Sequence, residues 1–135
     1  MPAARAAISL SEVGPKVGMR TVLIVDDNVD SAEVMGELIS LLGYRVFTAI
    51  DANSALSLAL ICRPHVILLD IGLPDMDGYT LARLLRDRPE FASTHLIAHT
   101  GFAAPQDRAK TAAAGFDWHL VKPANLQSLQ RALAS

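Results

Sequence analysis

Apolar runs of this 135-residue chain end, four times over, on residues able to do chemistry. Thr21 to Val25 ends on Asp26-Asp27, Val66 to Leu69 on Asp70, His95 to His99 on Thr100-Gly101, and Trp118 to Val121 on Lys122-Pro123. Where these ends converge, Asp26, Asp27 and Asp70 share one crevice. Unit charges about 4 Å apart, at an effective dielectric near 20, repel by roughly 4 kcal/mol per pair. A cation must offset that. Lys122 is one candidate and a divalent metal is the other. A small all-oxygen ligand set open to water suits Mg2+ better than zinc. Such a site keeps waters and completes itself with phosphate oxygens, which points to phosphoryl chemistry. A carboxylate there can act as nucleophile and form an aspartyl phosphate. The Thr100 hydroxyl and the Gly101 N–H are donors suited to phosphoryl oxygens, and Lys122 brings a point charge. Taken singly, each feature has a plainer explanation. An Asp after a strand is more often a helix cap, and Lys-Pro or Thr-Gly is a turn. Recurrence at successive strand ends favours the functional reading.

These residues need a scaffold that brings strand ends together. The apolar runs read as strands over Thr21 to Val25, Tyr44 to Ile50, Val66 to Asp70, His95 to His99 and Trp118 to Val121. Helical patterns alternate with them. The first starts near Asp30, where Asp30 and Glu33 have the spacing of a capping box, carries Val34, Met35, Leu38, Ile39, Leu41 and Leu42, and stops at Gly43. In the second, Asp51 or Asn53 is the cap, Ala55, Leu56, Ala59 and Leu60 face inward, and Pro64 is the stop. The third follows Pro74 and Asp77-Gly78, with Leu81, Leu84 and Leu85 inside and Arg83, Arg86 and Arg88 on the wet face. Pro105 opens an alanine-rich helix that ends at Ala114 before Gly115, and Leu126, Leu129 and Leu133 mark the last helix.

Strict strand–helix alternation implies a parallel sheet with helices on both faces. The second strand alone ends without a useful polar group. A flavodoxin-like (βα)5 fold with strand order 2-1-3-4-5 explains this, because it puts that strand at the edge and the other ends in one crevice at the switch point.

Composition bounds the reading. Apolar residues make up 51%, mean hydropathy is +0.30, net charge is −2 and the pI is about 6.0. One domain with one core is expected over residues 21–135, with a flexible N-terminal tail over residues 1–20. There is no basic stripe for nucleic acid and no apolar stretch long enough to span a membrane. Cys62 alone gives neither a disulfide nor a metal motif and reads as a small helix residue. A cytoplasmic location follows as the expectation.

The set as a whole resembles the receiver domain of two-component response regulators. The residues that carry the likeness are Asp26-Asp27, the run Asp-Ile-Gly-Leu-Pro-Asp-Met-Asp-Gly from Asp70 to Gly78, Thr100-Gly101 and Lys122-Pro123. It covers Met19 to Ser135. Ile71 to Pro74 and the segment Gly115 to Pro123 look closest to receivers attached to hybrid histidine kinases. The resemblance implies that Asp70 accepts a phosphoryl group from the phosphohistidine of a histidine kinase or phosphotransfer protein. It implies Mg2+ held directly by Asp27, by Asp26 mainly through a metal-bound water, by Asp70 and by the Gly72 carbonyl. It implies that Thr100 and Lys122 contact the phosphoryl oxygens, and that the Lys122–Pro123 bond is cis. The chain would then be a single-domain switch or relay intermediate rather than a turnover enzyme.

Departures fall outside the phosphorylation chemistry. His119 stands where the family has Tyr or Phe, His99 where it has an apolar residue, and Leu73 where many members have Met. Thr100 and His119 are thus the expected switch pair, with an unusual aromatic. His99 reads as a neutral, hydrogen-bonded side chain, and His65 and His95 as strand-edge residues without a role. Trp118 reads as packing or a solvent-edge contact. A haloacid dehalogenase-like phosphatase is disfavoured because Gly72 stands where that chemistry wants a second Asp. A non-phosphorylated interaction module would have lost acidic or Lys residues that are kept here. A flavin carrier would need a hydroxyl-rich loop after the first strand.

Overall fold

The computed structural model describes residues 19–101 and 104–135; the tail expected over residues 1–20 lies, through residue 18, outside them. The elements are β1 (Thr21–Val25), α1 (Val29–Leu41), β2 (Arg45–Ala49), α2 (Ala52–Cys62), β3 (Val66–Asp70), α3 (Gly78–Arg86), a 3-10 turn at Pro89–Phe91, β4 (His95–Thr100), α4 (Pro105–Ala114), β5 (Trp118–Val121) and α5 (Leu126–Ala134). The strands form one sheet in the order β2-β1-β3-β4-β5, with every neighbouring pair parallel. This is the flavodoxin-like order that the strand ends imply. Among the described residues, no helix is long and apolar enough to cross a membrane.

Side-chain alternation along the strands divides the core in two. Leu23, Val25, Ile67, Leu69, Leu96 and Ala98 face α2 and α3. Val22, Ile24, Val66, Leu68, Ile97 and Leu120 face α1 and α5. β3 has four fully buried residues before Asp70, as an interior strand covered on both faces requires.

Several boundaries differ from the sequence reading, each for a physical reason. α1 is capped by Asn28, whose side chain accepts from the Ser31 N–H at 3.0 Å, and not by Asp30. Asp30 lies in the first turn, where its charge favours the positive end of the helix dipole. Val34 and Leu41 are exposed, and Ala32 takes an inward place beside Met35 and Ile39. Tyr44 precedes β2 because its N–H still turns back to the Ile39 carbonyl of α1, at 3.4 Å. Asp51, rather than Asn53, caps α2. That helix ends one residue before Arg63, which adopts a left-handed φ of 45° ahead of Pro64. Leu84 is exposed, and Arg86 is only 23% exposed in its side chain, so it is no wet-face residue.

Candidate functional site

Parallel strands place their carboxyl ends side by side. β1 carries the chain out at Asp26, β3 at Asp70 and β5 at Lys122, and β4 lies between the last two. Asp26, Asp27 and Asp70 come together, each offering a carboxylate oxygen within 4.8 Å of the others. Lys122 Nζ stands 3.4 Å from Asp70 Oδ1 and 4.0 Å from Asp26 Oδ2. One lysine therefore faces a carboxylate cluster it cannot neutralise alone.

Burial grades the carboxylates. Asp26 is 2% exposed, Asp70 intermediate and Asp27 exposed. Burial pushes the Asp26 carboxyl up, and the Asp70 charge adds to it. The Asn28 N–H, donating to Asp26 Oδ1 at 2.9 Å, and the Lys122 charge work the other way. Asp26 thus also fixes the start of α1, because the residue it holds is that helix's cap. A cluster of hard oxygens at this spacing, partly open to water, fits Mg2+.

Asp70 is positioned by the turn that follows it. Its Oδ1 accepts the Gly72 N–H at 3.2 Å. The chain returns at Gly78, whose N–H donates to the Ile71 carbonyl at 2.7 Å. A Cβ on Gly78 would lie 2.7 Å from Ile71 Cα and 2.9 Å from the Asp70 carbonyl oxygen, so only glycine allows α3 to start this close to the site. Asp77 caps α3 through the Thr80 N–H at 2.8 Å. On the other side, Lys122 N–H donates to the Thr100 carbonyl at 2.8 Å, and the Lys122–Pro123 bond is cis.

Thr100 ends β4, one residue beyond the rung that pairs Asp70 with His99, and is 3% exposed. His119 pairs with Ala98, two positions back along β4 from Thr100, so the two share a face of the sheet. The His119 ring is half-buried, its Nδ1 3.2 Å from Thr111 Oγ1 on α4. His99 is 3% exposed and its Nε2 has no hydrogen-bond partner. The ring is neutral: burial, with the Lys122 charge, lowers its pKa to about 4. The expectation of a neutral ring holds, and that of a satisfied one fails at Nε2.

His65 and His95 stand at strand starts, as expected, and both make hydrogen bonds: His95 opens β4, and its Nε2 lies 2.9 Å from the Ala132 carbonyl oxygen of α5. His65 Nδ1 accepts the Thr21 N–H at 3.0 Å. Trp118 is 37% exposed, which fits the solvent-edge reading. The motif that contains Asp75 assigns it no role. Its two oxygens accept the Ala52 and Asn53 N–H groups at the start of α2, partners too far away in sequence for any local motif to reveal.

Comparisons with known proteins agree with this geometry. The chain is 33% identical over 104 residues to the polar-differentiation response regulator DivK of Brucella anthropi, covering 77% of this chain and 85% of that one. Some curated relatives are longer: the chain spans 49% of a probable transcriptional regulator ycf27 of Cyanophora paradoxa, at 28% identity. Among solved structures it resembles the chemotaxis response regulator CheY4 of Vibrio cholerae, with a TM-score of 0.82 and 30% identity over 86% of this chain and 97% of that one. It also resembles the receiver domain of a sensor histidine kinase of Pseudomonas aeruginosa PAO1, described with a magnesium ion coordinated in its active site cleft. There the TM-score is 0.78 and the identity 34%, over 86% of this chain and 95% of that one. The family model of the response regulator receiver domain matches residues 22–134, from the first strand to the last helix, and the chain belongs to that family.

Proposed function

We propose that this chain is a phosphorylatable switch, with residues 21–135 as the receiver unit. Asp70 takes a phosphoryl group from a histidine kinase or histidine phosphotransfer protein. The observation that carries this reading is the placing of Lys122 Nζ 3.4 Å from an Asp70 carboxylate that also belongs to an acidic cluster. An Asp70 oxygen attacks phosphorus as the P–N bond of the partner's phosphohistidine breaks. The O–P bond forms, and the leaving imidazole is neutral once the ring nitrogen opposite has kept its proton. Lys122 follows the charge from the carboxylate to the phosphoryl oxygens, and Thr100 supplies a hydroxyl donor.

The metal that receiver domains bind fits here. Asp27, exposed at the rim, would hold Mg2+ directly. Asp26, buried with one oxygen given to Asn28, would act less directly, and Asp70 and the Gly72 carbonyl would complete the protein's share. When bound, Mg2+ neutralises the carboxylates and the incoming phosphoryl oxygens. The chain's own chemistry ends with hydrolysis of its aspartyl phosphate, so it is a switch and not an enzyme for an external substrate. Thr100 and His119 form the switch pair.

Acetyl phosphate with Mg2+ is expected to add one phosphoryl mass to the wild-type chain and none to Asp70→Asn. Equal modification of the two would move the acceptor elsewhere.

A further inference from the structure

We propose that Asp75 is a positioning residue for the Mg2+ site, acting by fastening the loop that carries Gly72 to the amino end of α2. The proposal rests on the receiver reading above.

Residues 71–77 connect β3 to α3 and shape one wall of the acidic crevice. Their apolar members are pinned: Ile71 and Leu73 are each 8% exposed in the core, and Met76 packs against it. Gly72, between the first two, is exposed and has no side chain to hold it. Its place follows from how firmly the whole loop is held. Asp75 supplies the hold that apolar packing does not. Its Oδ1 accepts the Ala52 N–H at 2.9 Å and its Oδ2 the Asn53 N–H at 3.1 Å.

Those amides are among the first of α2, which have no acceptor within the helix. The helix's own cap, Asp51, serves the next one, Ser54 N–H, at 2.8 Å. One helix end is thus divided between a local residue and a residue of the phosphoacceptor loop. A carboxylate with both oxygens on fixed backbone donors cannot rotate or translate without losing one of them. The Ala52 N–H in particular holds the Asp75 carboxyl below the usual carboxylate range, so it remains an anchor in mild acid. Asp75 is outside the cluster of Asp26, Asp27 and Asp70, and its side chain holds backbone amides of α2, so its effect passes through the loop.

The division supplies the control. Asp51→Ala removes a carboxylate and a cap from the same helix end but leaves the loop fastened. Asp75→Ala removes a carboxylate and frees the loop. Titration calorimetry with MgCl2 on the full chain separates them. Asp75→Ala is expected to weaken Mg2+ binding about tenfold, the lower end of what groups supporting metal ligands are worth. Asp75→Asn, which keeps one acceptor, should fall between, and Asp51→Ala should stay within about twofold of wild type. Phosphorylation by acetyl phosphate should need correspondingly more Mg2+ to reach half its maximal rate in Asp75→Ala than in wild type. Faster amide exchange at Ala52 and Asn53 in that variant would report the freed anchor. Equal Mg2+ affinity in Asp75→Ala and wild type, or an equal loss in Asp51→Ala, would overturn the proposal alone. A wild-type chain that bound no Mg2+ would instead overturn the receiver reading beneath it.

Discussion

The two ends of the sheet are built on opposite electrostatic principles. At the amino end, Arg86 reaches from the last turn of α3 and spends its donors on acceptors from several elements. It donates to the Gly115 carbonyl at 2.9 Å, to the Phe91 and Thr94 carbonyls at 3.1 and 2.8 Å, and to Asp117 Oδ2 at 2.6 Å. Asp117 Oδ2 also accepts the Leu96 N–H at 2.9 Å, so the staple ties α3, β4 and the start of β5 together. Even the backbone accommodates it: Gly115 has a φ of 104°, and a Cβ there would lie 2.7 Å from Arg86 Cγ. At the carboxyl end, like charges are gathered, a carboxylate is buried, and a histidine nitrogen lacks a partner. One end is saturated and holds the fold. The other stores unfavourable electrostatics that a cation would relieve, and a site under such repulsion responds to what binds it.

The sharpest break of that contrast is Arg86→Ala. It removes a donor from three carbonyls and from the Asp117 carboxylate at once, and should cost about 3 kcal/mol, the low end for a broken buried pair because both partners are partly exposed. Urea unfolding in metal-free buffer measures it. An unchanged midpoint would show that the amino end is not what holds the fold. Arg86→Lys should recover less than half, since an ammonium cannot reach acceptors that a planar fork spans.

That staple also shows where sequence reading reaches its limit. β3, β5, α3's start and α4 were legible to the residue, because apolar periodicity, Pro105, Gly78 and Gly115 are local signals. The convergence of Asp26, Asp27, Asp70 and Lys122 was legible because it follows from strand order alone. Helical spacing put Arg86 on the wet face; it cannot tell that a long side chain reaches past the helix end to Gly115. Asp75 and Asn28 were missed for related reasons. The partners of Asp75 are remote in sequence, and Asn28 competes with Asp30, a residue of equal capping propensity, until the Asp26 bond decides between them.

His99 gives the next effect. Its pKa falls from 6.5 to about 4 on folding, so the unfolded chain binds the proton more readily in that window. Stability from this source is fully present above pH 6.5 and is lost as pH falls toward 4. By about pH 5 the loss should be roughly 2 kcal/mol, at 1.36 kcal/mol per unit. His99→Leu keeps the buried volume close and removes the titration. Its stability should fall less than that of wild type between pH 7 and pH 5 in metal-free buffer. Parallel pH curves for the two proteins would assign the acid sensitivity to other groups.

A smaller change of opposite sign belongs to Asp26. Its carboxyl is raised on folding, so it opposes stability once pH exceeds its folded value, and that opposition fades as pH falls. Asp26→Asn keeps an acceptor for the Asn28 N–H and removes the buried charge. A gain of about 1 kcal/mol at pH 7 without metal is expected, smaller than a bare Coulomb pair because Lys122 already offsets part of the repulsion. Saturating Mg2+ should erase the gain, since it stabilises wild type by mass action and the variant less. A variant less stable than wild type without metal would mean that the carboxyl end is not electrostatically strained.

The smallest expected effect tests whether the two principles meet at the switch. His119 lies between the ends, on the strand that begins next to Asp117 and finishes next to Lys122. The Thr111 hydroxyl donates to the Arg108 carbonyl at 2.8 Å, which commits its one proton and leaves its oxygen to accept from His119 Nδ1 at 3.2 Å. An inward turn of the ring toward Thr100 must give up that bond, whereas a phenyl ring has none to lose. A neutral hydrogen bond is worth about 1 kcal/mol net, roughly fivefold in a two-state ratio. Beryllofluoride with Mg2+ should therefore shift Trp118 emission further in His119→Phe than in wild type, and Thr111→Val should move part of the way by removing the acceptor alone. The three proteins must first be shown to bind beryllofluoride equally, because His119 is not placed at the acidic cluster. Equal emission changes in all three, at saturation, would detach His119 from the switch and leave it a packing residue on β5.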